Sequence, residues 1–425
     1  MMKRVFSTIA VASFAIASFA GGLLTNTNQS AAFVRNPARY ATLEADAVYF
    51  NPAGTALFNE GWTVSANWQM IRQDRDVYNR KPATAHKGSV FVPIMPTFFA
   101  SYKTGDWTFS GFFGMPGGGG NAKFDNGLPM FDQMGDALLA GTPLKANSVF
   151  ESTQYLFALQ LGAAYQINEY FSVYGGIRAN YTSLSYEGAI DAIHPVTGST
   201  MTNLLSLELK QTGLAFAPIL GVNAKLDRLN IGVKYEFRAV NTIKNDTKTL
   251  SSQGKSLIGL VGLAMPSLAS LDDNQEFRND APAKLSVGAS YDVTDRLKLM
   301  AATTYYFDKE AKIESLLGKE NAMEKLGKNT CEFLGGVEYK LTKKWLISAG
   351  CQYSDYGVND DYLSQMSFIN DAFMVGGGTK YSLSEKCDIN FGVCYANYAH
   401  YSDHSENVCF RRTSFDVALG VDFRF

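Results

Sequence analysis

Outside its first twenty residues, this chain of 425 has no apolar run of helix-spanning length. The longest such stretch, 257–268, is short and carries Pro266, which excludes a bundle of transmembrane helices. Charge of one sign is missing too. Lys and Arg number 38 against 40 Asp and Glu, a net charge of −2, so there is no broad basic face for nucleic acid. Cysteine (5) and histidine (4) are scarce. No CxxC pair exists for a thiolate zinc module. An odd cysteine count in an exported chain leaves at least one thiol free or bonded to another chain. Cys331 and Cys351 fall on neighbouring predicted strands and can lie close together; most of the five read as small apolar strand residues. His400, His404 and Cys409 have ligand-like spacing but sit in a polar loop without a fourth donor, and read as solvated. All four histidines, with His86 and His194, read as loop residues. No Ser–His constellation stands out, so no enzyme, cofactor or metal is expected.

What is present is alternation. In 414–425, Phe415, Val417, Leu419, Val421, Phe423 and Phe425 are apolar, and the residues between them are small or charged. Period two makes a β-strand with one apolar and one polar face. Its length and its terminal Phe match the closing strand of an outer-membrane barrel. The same rhythm recurs around short polar turns at 166–170, 226–229, 292–296, 341–345 and 383–387, all but the second with Tyr or Trp beside them. These read as hairpins with aromatic residues at a membrane interface. Fourteen arms can be counted from 62 onward, an even number, as a single-chain bacterial barrel needs. Neutral mean hydropathy (−0.09) is consistent, because only alternate residues of such a strand meet lipid. The start supports export: Met1, Met2, Lys3 and Arg4 precede an apolar run that ends at Ser18, Phe19 and Ala20. This reads as a signal peptide over 1–20.

Three regions break the rhythm. Residues 21–61 precede the first strand without sustained alternation. Met115, Pro116 and Gly117–Gly120 interrupt the third strand, where Gly and Pro weaken a ladder. The loop 246–281 is unusually apolar, with Leu257, Ile258, Leu260, Val261, Leu263 and Met265, as if it packs on or captures something. A fourth segment, 309–328, has the spacing of a short amphipathic helix through Ile313, Leu316, Leu317, Met323 and Leu326.

The 21–61 region carries a pattern of its own. Gly21, Gly22, Leu23 and Leu24 lead to Arg35-Asn36-Pro37, then to Asp46-Ala47-Val48-Tyr49-Phe50-Asn51-Pro52-Ala53-Gly54. With an Asn-Pro-Ala tripeptide just before the first strand, the chain resembles the FadL/TodX family of outer-membrane hydrophobic-compound transporters. The layout agrees over the whole mature chain. The resemblance implies an all-β transmembrane antiparallel barrel of about 14 strands (62–425) with an N-terminal hatch (21–61) in the lumen. It implies passive uptake of hydrophobic small molecules, long-chain fatty acids or similar lipids and aromatics, with lateral release through a kink in the third strand. Asn51, Pro52, Ala53 and Gly54 become the hatch contact; Gly111, Gly114 and Pro116 are the candidate kink. Gly21–Leu24 become a movable N-terminal switch, and 257–265 a capture loop. The expected partners are a hydrophobic ligand and outer-membrane lipid, with no nucleic acid, for a barrel able to act as a monomer in a Gram-negative outer membrane. A surface receptor or adhesin-like barrel with a permanently closed plug is the alternative reading. A general porin fits poorly, because the hatch would block its lumen.

Overall fold

The computed structural model describes residues 30–80, 83–139, 141–251, 270–316, 319–359, 361–363, 365, 368–403 and 408–425. The signal peptide read at 1–20, the Gly21–Leu24 switch and the capture residues Leu257, Ile258, Leu260, Val261, Leu263 and Met265 lie outside them.

A single antiparallel sheet closes on itself. In chain order its strands are β1 (Gly61–Arg80), β2 (Ala83–Thr104), β3 (Trp107–Phe124), β4 (Lys145–Gln166), β5 (Phe171–Ile193), β6 (Thr200–Leu226), β7 (Leu229–Glu236), β8 (Thr242–Ser251), β9 (Glu276–Arg278), β10 (Lys284–Asp292), β11 (Leu297–Tyr306), β12 (Cys331–Lys340), β13 (Trp345–Asp355), β14 (Ala372–Ser384), β15 (Cys387–Tyr398), β16 (Tyr401–Asp403) and β17 (Val408–Arg424). β8 continues the stave begun by β7, β9 leads into β10, and β16 is a short partner of β17, so the wall has 14 staves. Closure is by β1 on β17, from Thr63↔Arg424 to Asn79↔Val408. No helix among the described residues is long and apolar enough to cross a membrane.

The alternation of the last strand has the expected sides. Phe415, Leu419 and Phe423 are exposed on the outer face, while Asp416, Ala418 and Asp422 are buried toward the lumen. Near the tight turns, Trp62 packs on Tyr102 at 5.0 Å, Trp107 on Tyr165 at 4.8 Å and Trp345 on Tyr381 at 4.8 Å. These half-exposed aromatic pairs form the girdle of a spanning barrel.

The first staves run well past the arms read from alternation, which put strand one at 62–72 and strand two at 95–103. In the upper part of β1, Arg72 and Asp74 point out and Gln73 and Arg75 point in. Both faces are polar there, so the period-two signal fades although the ladder to β17 continues.

Two lumenal fillings occupy opposite ends. At the end with the tight turns lies the segment 30–57. It holds α1 (Ala31–Arg35), capped by Ser30, whose Oγ accepts from Phe33 N at 2.9 Å, then α2 (Ala47–Phe50) and a 3-10 turn, Pro52–Leu57. Its backbone touches the wall where the wall has no side chain. A Cβ on Gly376 would lie 2.2 Å from Val34 O, and one on Gly232 would lie 2.2 Å from Tyr40 O. At the far end, α3 (Pro129–Leu138) and the long loops bury Leu128, Phe277, Leu363 and Phe368 against the upper staves, with Phe368 stacked on Phe410 at 4.9 Å.

Two expectations are corrected. The 309–328 segment makes no amphipathic α-helix: it has 3-10 turns at Asp308–Glu310 and Ala322–Lys325. Its backbone pairs sideways instead, through bridges Asn279↔Ile313 and Glu314↔Asn321, which removes the i−4 partners a helix needs. Ile313, Leu316, Met323 and Leu326 are buried all the same. His86 lies within β2, not in a loop, with Nδ1 2.8 Å from the Asn126 carbonyl. α3 had no counterpart in the sequence reading.

Candidate functional site

The 30–57 segment is held by charge as well as contact. Arg35 reaches Glu338 at 2.8 Å and Glu44 at 3.1 Å; Arg39 reaches Asp46 at 2.7 Å, Glu44 at 2.6 Å and Glu338 at 3.3 Å. Lys380 of β14 completes the cluster on Glu44. Burial alone would raise the Glu44 carboxyl, but Lys380, Arg39 and Arg35 hold it well below the usual carboxylate range. For Arg39, burial works against the cation, yet Asp46, Glu44 and Glu338 keep its pKa well above the ordinary value. With every charge paired, such a cluster ties the segment to β12 and β14.

The Asn51-Pro52-Ala53-Gly54 motif sits low in the lumen. Asn51 Nδ2 donates to Asn223 Oδ1 of β6 at 2.8 Å and to Thr42 O at 3.1 Å. Pro52 opens the 3-10 turn, where a missing N–H costs nothing. Ala53 O accepts from Ser172 Oγ of β5 at 2.7 Å, and a Cβ on Gly54 would lie 2.4 Å from Asn51 Nδ2. The motif thus meets β5 and β6. The third stave meets the same segment through Tyr49, whose ring is 4.7 Å from that of Phe112, and through Thr108 Oγ1, which donates to Thr55 O at 3.1 Å.

Above this floor is a small, partly open cavity of about 90 Å³. Phe33, Tyr40, Tyr49 and Phe50 form its aromatic base, and Leu156, Leu334 and Pro116 belong to its walls. Burial pushes the Tyr40 hydroxyl up to about 12, so it stays a neutral donor. One side is charged. Glu236 accepts from Arg178 at 2.6 Å and Lys234 at 2.7 Å, with Lys284 at 3.3 Å. Arg178 and Lys234 stack on the Tyr49 ring, 4.6 and 4.5 Å from its centroid. Three cations therefore converge on one carboxylate. The cavity's other carboxylate, Glu332, is already bonded by Tyr306 Oη, Gln352 and Ser354. Arg178, Lys234 and Glu236 were missed, since their signal is only an inward position on a strand.

The cavity meets the wall where β3 is irregular. Between β2 and β3 the ladder runs to Val90↔Ala122 and resumes only at Phe98↔Phe113. Pro93 and Pro96 lack donors on one side and Pro116 on the other. Against β4 the register shifts between Gly114 and Gly117 and again between Gly118 and Gly120. Gly118 (φ 110°) and Gly120 (φ 72°) take backbone angles that favour glycine. Gly114 and Pro116 lie at this break. Gly111 does not: it is regularly paired with Ala100 and Leu161.

Residues 9–417 match the outer membrane protein transport protein family OMPP1/FadL/TodX. No curated protein matches the chain. Among solved structures, a FadL homologue of Pseudomonas aeruginosa is 16% identical, with a TM-score of 0.69 over 96% of this chain and 99% of its own. The toluene transporter TodX of P. putida is 12% identical, with a TM-score of 0.59 over 90% and 94%. The toluene transporter TbuX of Ralstonia pickettii is 15% identical, with 0.57 over 89% and 94%. At these identities the structures speak for a shared fold. With the family matched over nearly its whole length, the chain belongs to the FadL/TodX family of outer-membrane transport proteins and is a barrel of the Gram-negative outer membrane.

Proposed function

We propose that this protein is a monomeric, passive channel for hydrophobic molecules bearing an anionic head, such as long-chain fatty acids. The ligand is caught at the extracellular loops, rests in the cavity above 30–57, and leaves sideways into the membrane at the β3 irregularity. The observation that carries this reading is the composition of the cavity. Its aromatic and aliphatic walls suit a chain, and two cations, Arg178 and Lys284, line it on the side of Glu236, with Lys234 behind them on the same carboxylate. A ligand carboxylate would take the place beside Lys284, which makes the longest of the three contacts to Glu236. Moving from water to such walls stabilises an alkyl chain by about 0.8 kcal/mol per CH₂, and flow down a gradient needs no energy source. The toluene transporters that share the fold take an uncharged ligand, so the charged side is what points this chain toward acids.

The test is binding of oleate and methyl oleate to the purified protein in detergent. Arg178→Met with Lys284→Met should weaken oleate at least tenfold and leave the ester within about twofold. Equal loss of both would remove the head-group role. If the protein in whole cells takes up oleate no faster than an empty vector, the closed-plug surface receptor becomes the better reading.

A further inference from the structure

The wall is broken in a second place, on staves with no glycine run to advertise it. Between β7 and β10 the ladder ends at Glu236↔Lys284, and between β8 and β9 it resumes at Thr242↔Arg278. The five residues on each side, 237–241 and 279–283, share one isolated rung, Ala239↔Ala281, and a single further bond from Asn279 N to Asn241 O at 2.8 Å. The neighbouring stave is interrupted at the same level. β6 pairs with β7 up to Ile219↔Glu236 and with β8 from Thr212↔Lys244, so 213–217 have no ladder partner on that side while staying paired with β5. Pro218 and Pro282 remove donors here, as Pro93, Pro96 and Pro116 do at the β3 break.

The flanking ladders each keep one more in-register rung, Phe237 N on Pro218 O at 3.0 Å and Phe307 N on Ala283 O at 2.9 Å, while Asn241 N turns to the Asp280 carboxylate and Asp280 N to Lys312 O, both at 3.0 Å. The lumenal lining is small: Ala215, Ala217 and Ala239 are buried together, with Ala281 packed on them. Two cavities end on this lining. The ligand cavity reaches Ala217, Phe237, Ala281 and Pro282, and a smaller one above it reaches Ala215, Ala239, Asn241 and Asn279. Phe237 belongs to the cavity wall and is also 40% exposed on the outer face. Outside, Leu214 and Phe216 present an apolar surface. Counted from the tight-turn ends, Phe237 is eight residues along its stave and Pro116 nine. On tilted strands that puts both about 20–25 Å up, at the outer-leaflet side of the hydrocarbon.

We propose that the break between the seventh and eighth staves is a second lateral exit from the ligand cavity. Phe237 closes it and the Ala239–Ala281 rung latches it. Its ligand class is that of the proposed function, on which it rests: the alkyl part of an amphiphile passes over the alanine lining into the membrane, while the head stays near Lys284.

The two exits can be stapled separately. Ala239 and Ala281 donate to each other's carbonyls at 3.0 Å both ways, a pair whose Cα spacing of about 5.5 Å suits a disulfide. Ala239→Cys with Ala281→Cys closes the new exit. Val92→Cys with Gly120→Cys closes the β3 break, since a Cβ on Gly120 would be 4.0 Å from Val92 Cβ. Uptake of radiolabelled oleate by cells is measured before and after reduction, with wild type and empty vector alongside. Heat-shifted gel mobility confirms a folded barrel. The expected result is a loss of about twofold with either staple, loss to vector level with both, and recovery on reduction. Ala281→Trp, which fills the gap from inside without a disulfide, should cut uptake about twofold, and Phe237→Ala should raise it. If the 239–281 staple and Ala281→Trp leave uptake unchanged while the β3 staple abolishes it, the second exit is overturned and the proposed function stands. If wild type matches the vector, the proposed function falls and this exit falls with it.

Discussion

The two ends of the lumen are filled in different ways. The 30–57 segment is fixed by ions and backbone contact: two fully buried arginines, three carboxylates and Lys380 interlock it with β12 and β14. The extracellular end is closed mostly by apolar side chains from loops, such as Phe368 on Phe410 and Leu363. Ion pairs and hydrogen bonds are directional, and a partial shift leaves a buried charge alone. Apolar contact is non-directional and can re-form after a slide. Motion therefore costs more at the floor than in the extracellular packing, where, in the proposed uptake route, a ligand would enter.

The strongest way to break this contrast is at Glu338. Glu338→Ala would leave Arg35 and Arg39 buried with one carboxylate fewer, at a cost of about 3–5 kcal/mol. The floor should loosen, so the variant should show ion conductance in planar bilayers where wild type shows none. A silent Glu338→Ala channel would mean that contact alone holds the floor. Gly376→Val is the next test. The new side chain meets the Val34 carbonyl, and overpacking of this kind costs about 1–3 kcal/mol. It should increase protease cutting within 30–57 while the barrel keeps its heat-shifted mobility. At the other end, Phe368→Ala removes a ring that in a rigid core would be worth about 3–5 kcal/mol. If the loops collapse into the space, the unfolding midpoint in urea should move less than half as far as for Glu338→Ala, and a hydrophobic dye should enter faster. An equal midpoint shift would show the upper packing to be as rigid as the floor.

The sequence displayed what repeats locally and hid what depends on distant partners. Phe415, Leu419 and Phe423 announced a lipid-facing strand because each lies two residues from another apolar position. Pro116 and Gly117–Gly120 marked a weak wall because those residue types disrupt any ladder. Arg35 and Arg39 gave no sign of their role, since Glu338 is some three hundred residues away and its place is set by closure of the barrel. The glycines that admit 30–57 are spread over several staves, and even the run Gly376–Gly378 does not tell which segment it will meet. The break at 237–241 and 279–283 was unreadable for a similar reason. Its alanines and two prolines are ordinary strand-end residues until three staves are set side by side. The helical spacing of 309–328 misled because it reported burial, which is real, while the backbone pairs across to 279.

The smallest expected effect is also the one most sensitive to the ionic account of the floor. Glu44 is 24% exposed, so bulk protons can reach it. Its carboxyl lies well below the usual range because Lys380, Arg39 and Arg35 outweigh the penalty of burial. A group with a lowered folded-state pKa adds stability that is present above its unfolded value, near 4.3, and is lost only as pH falls through the folded value. Acidification from pH 7 to pH 5 should therefore leave the wild-type floor closed. Conductance should first rise in acid well below pH 4, as Glu44 takes up a proton and the three cations repel. In Glu44→Gln that part of the acid response is already spent. Its conductance at pH 7 should be slightly above wild type, and the rise attributable to this residue should be missing. Wild-type opening between pH 7 and pH 5 would mean that another group latches the floor, and the contrast between its two ends would have to be drawn without Glu44.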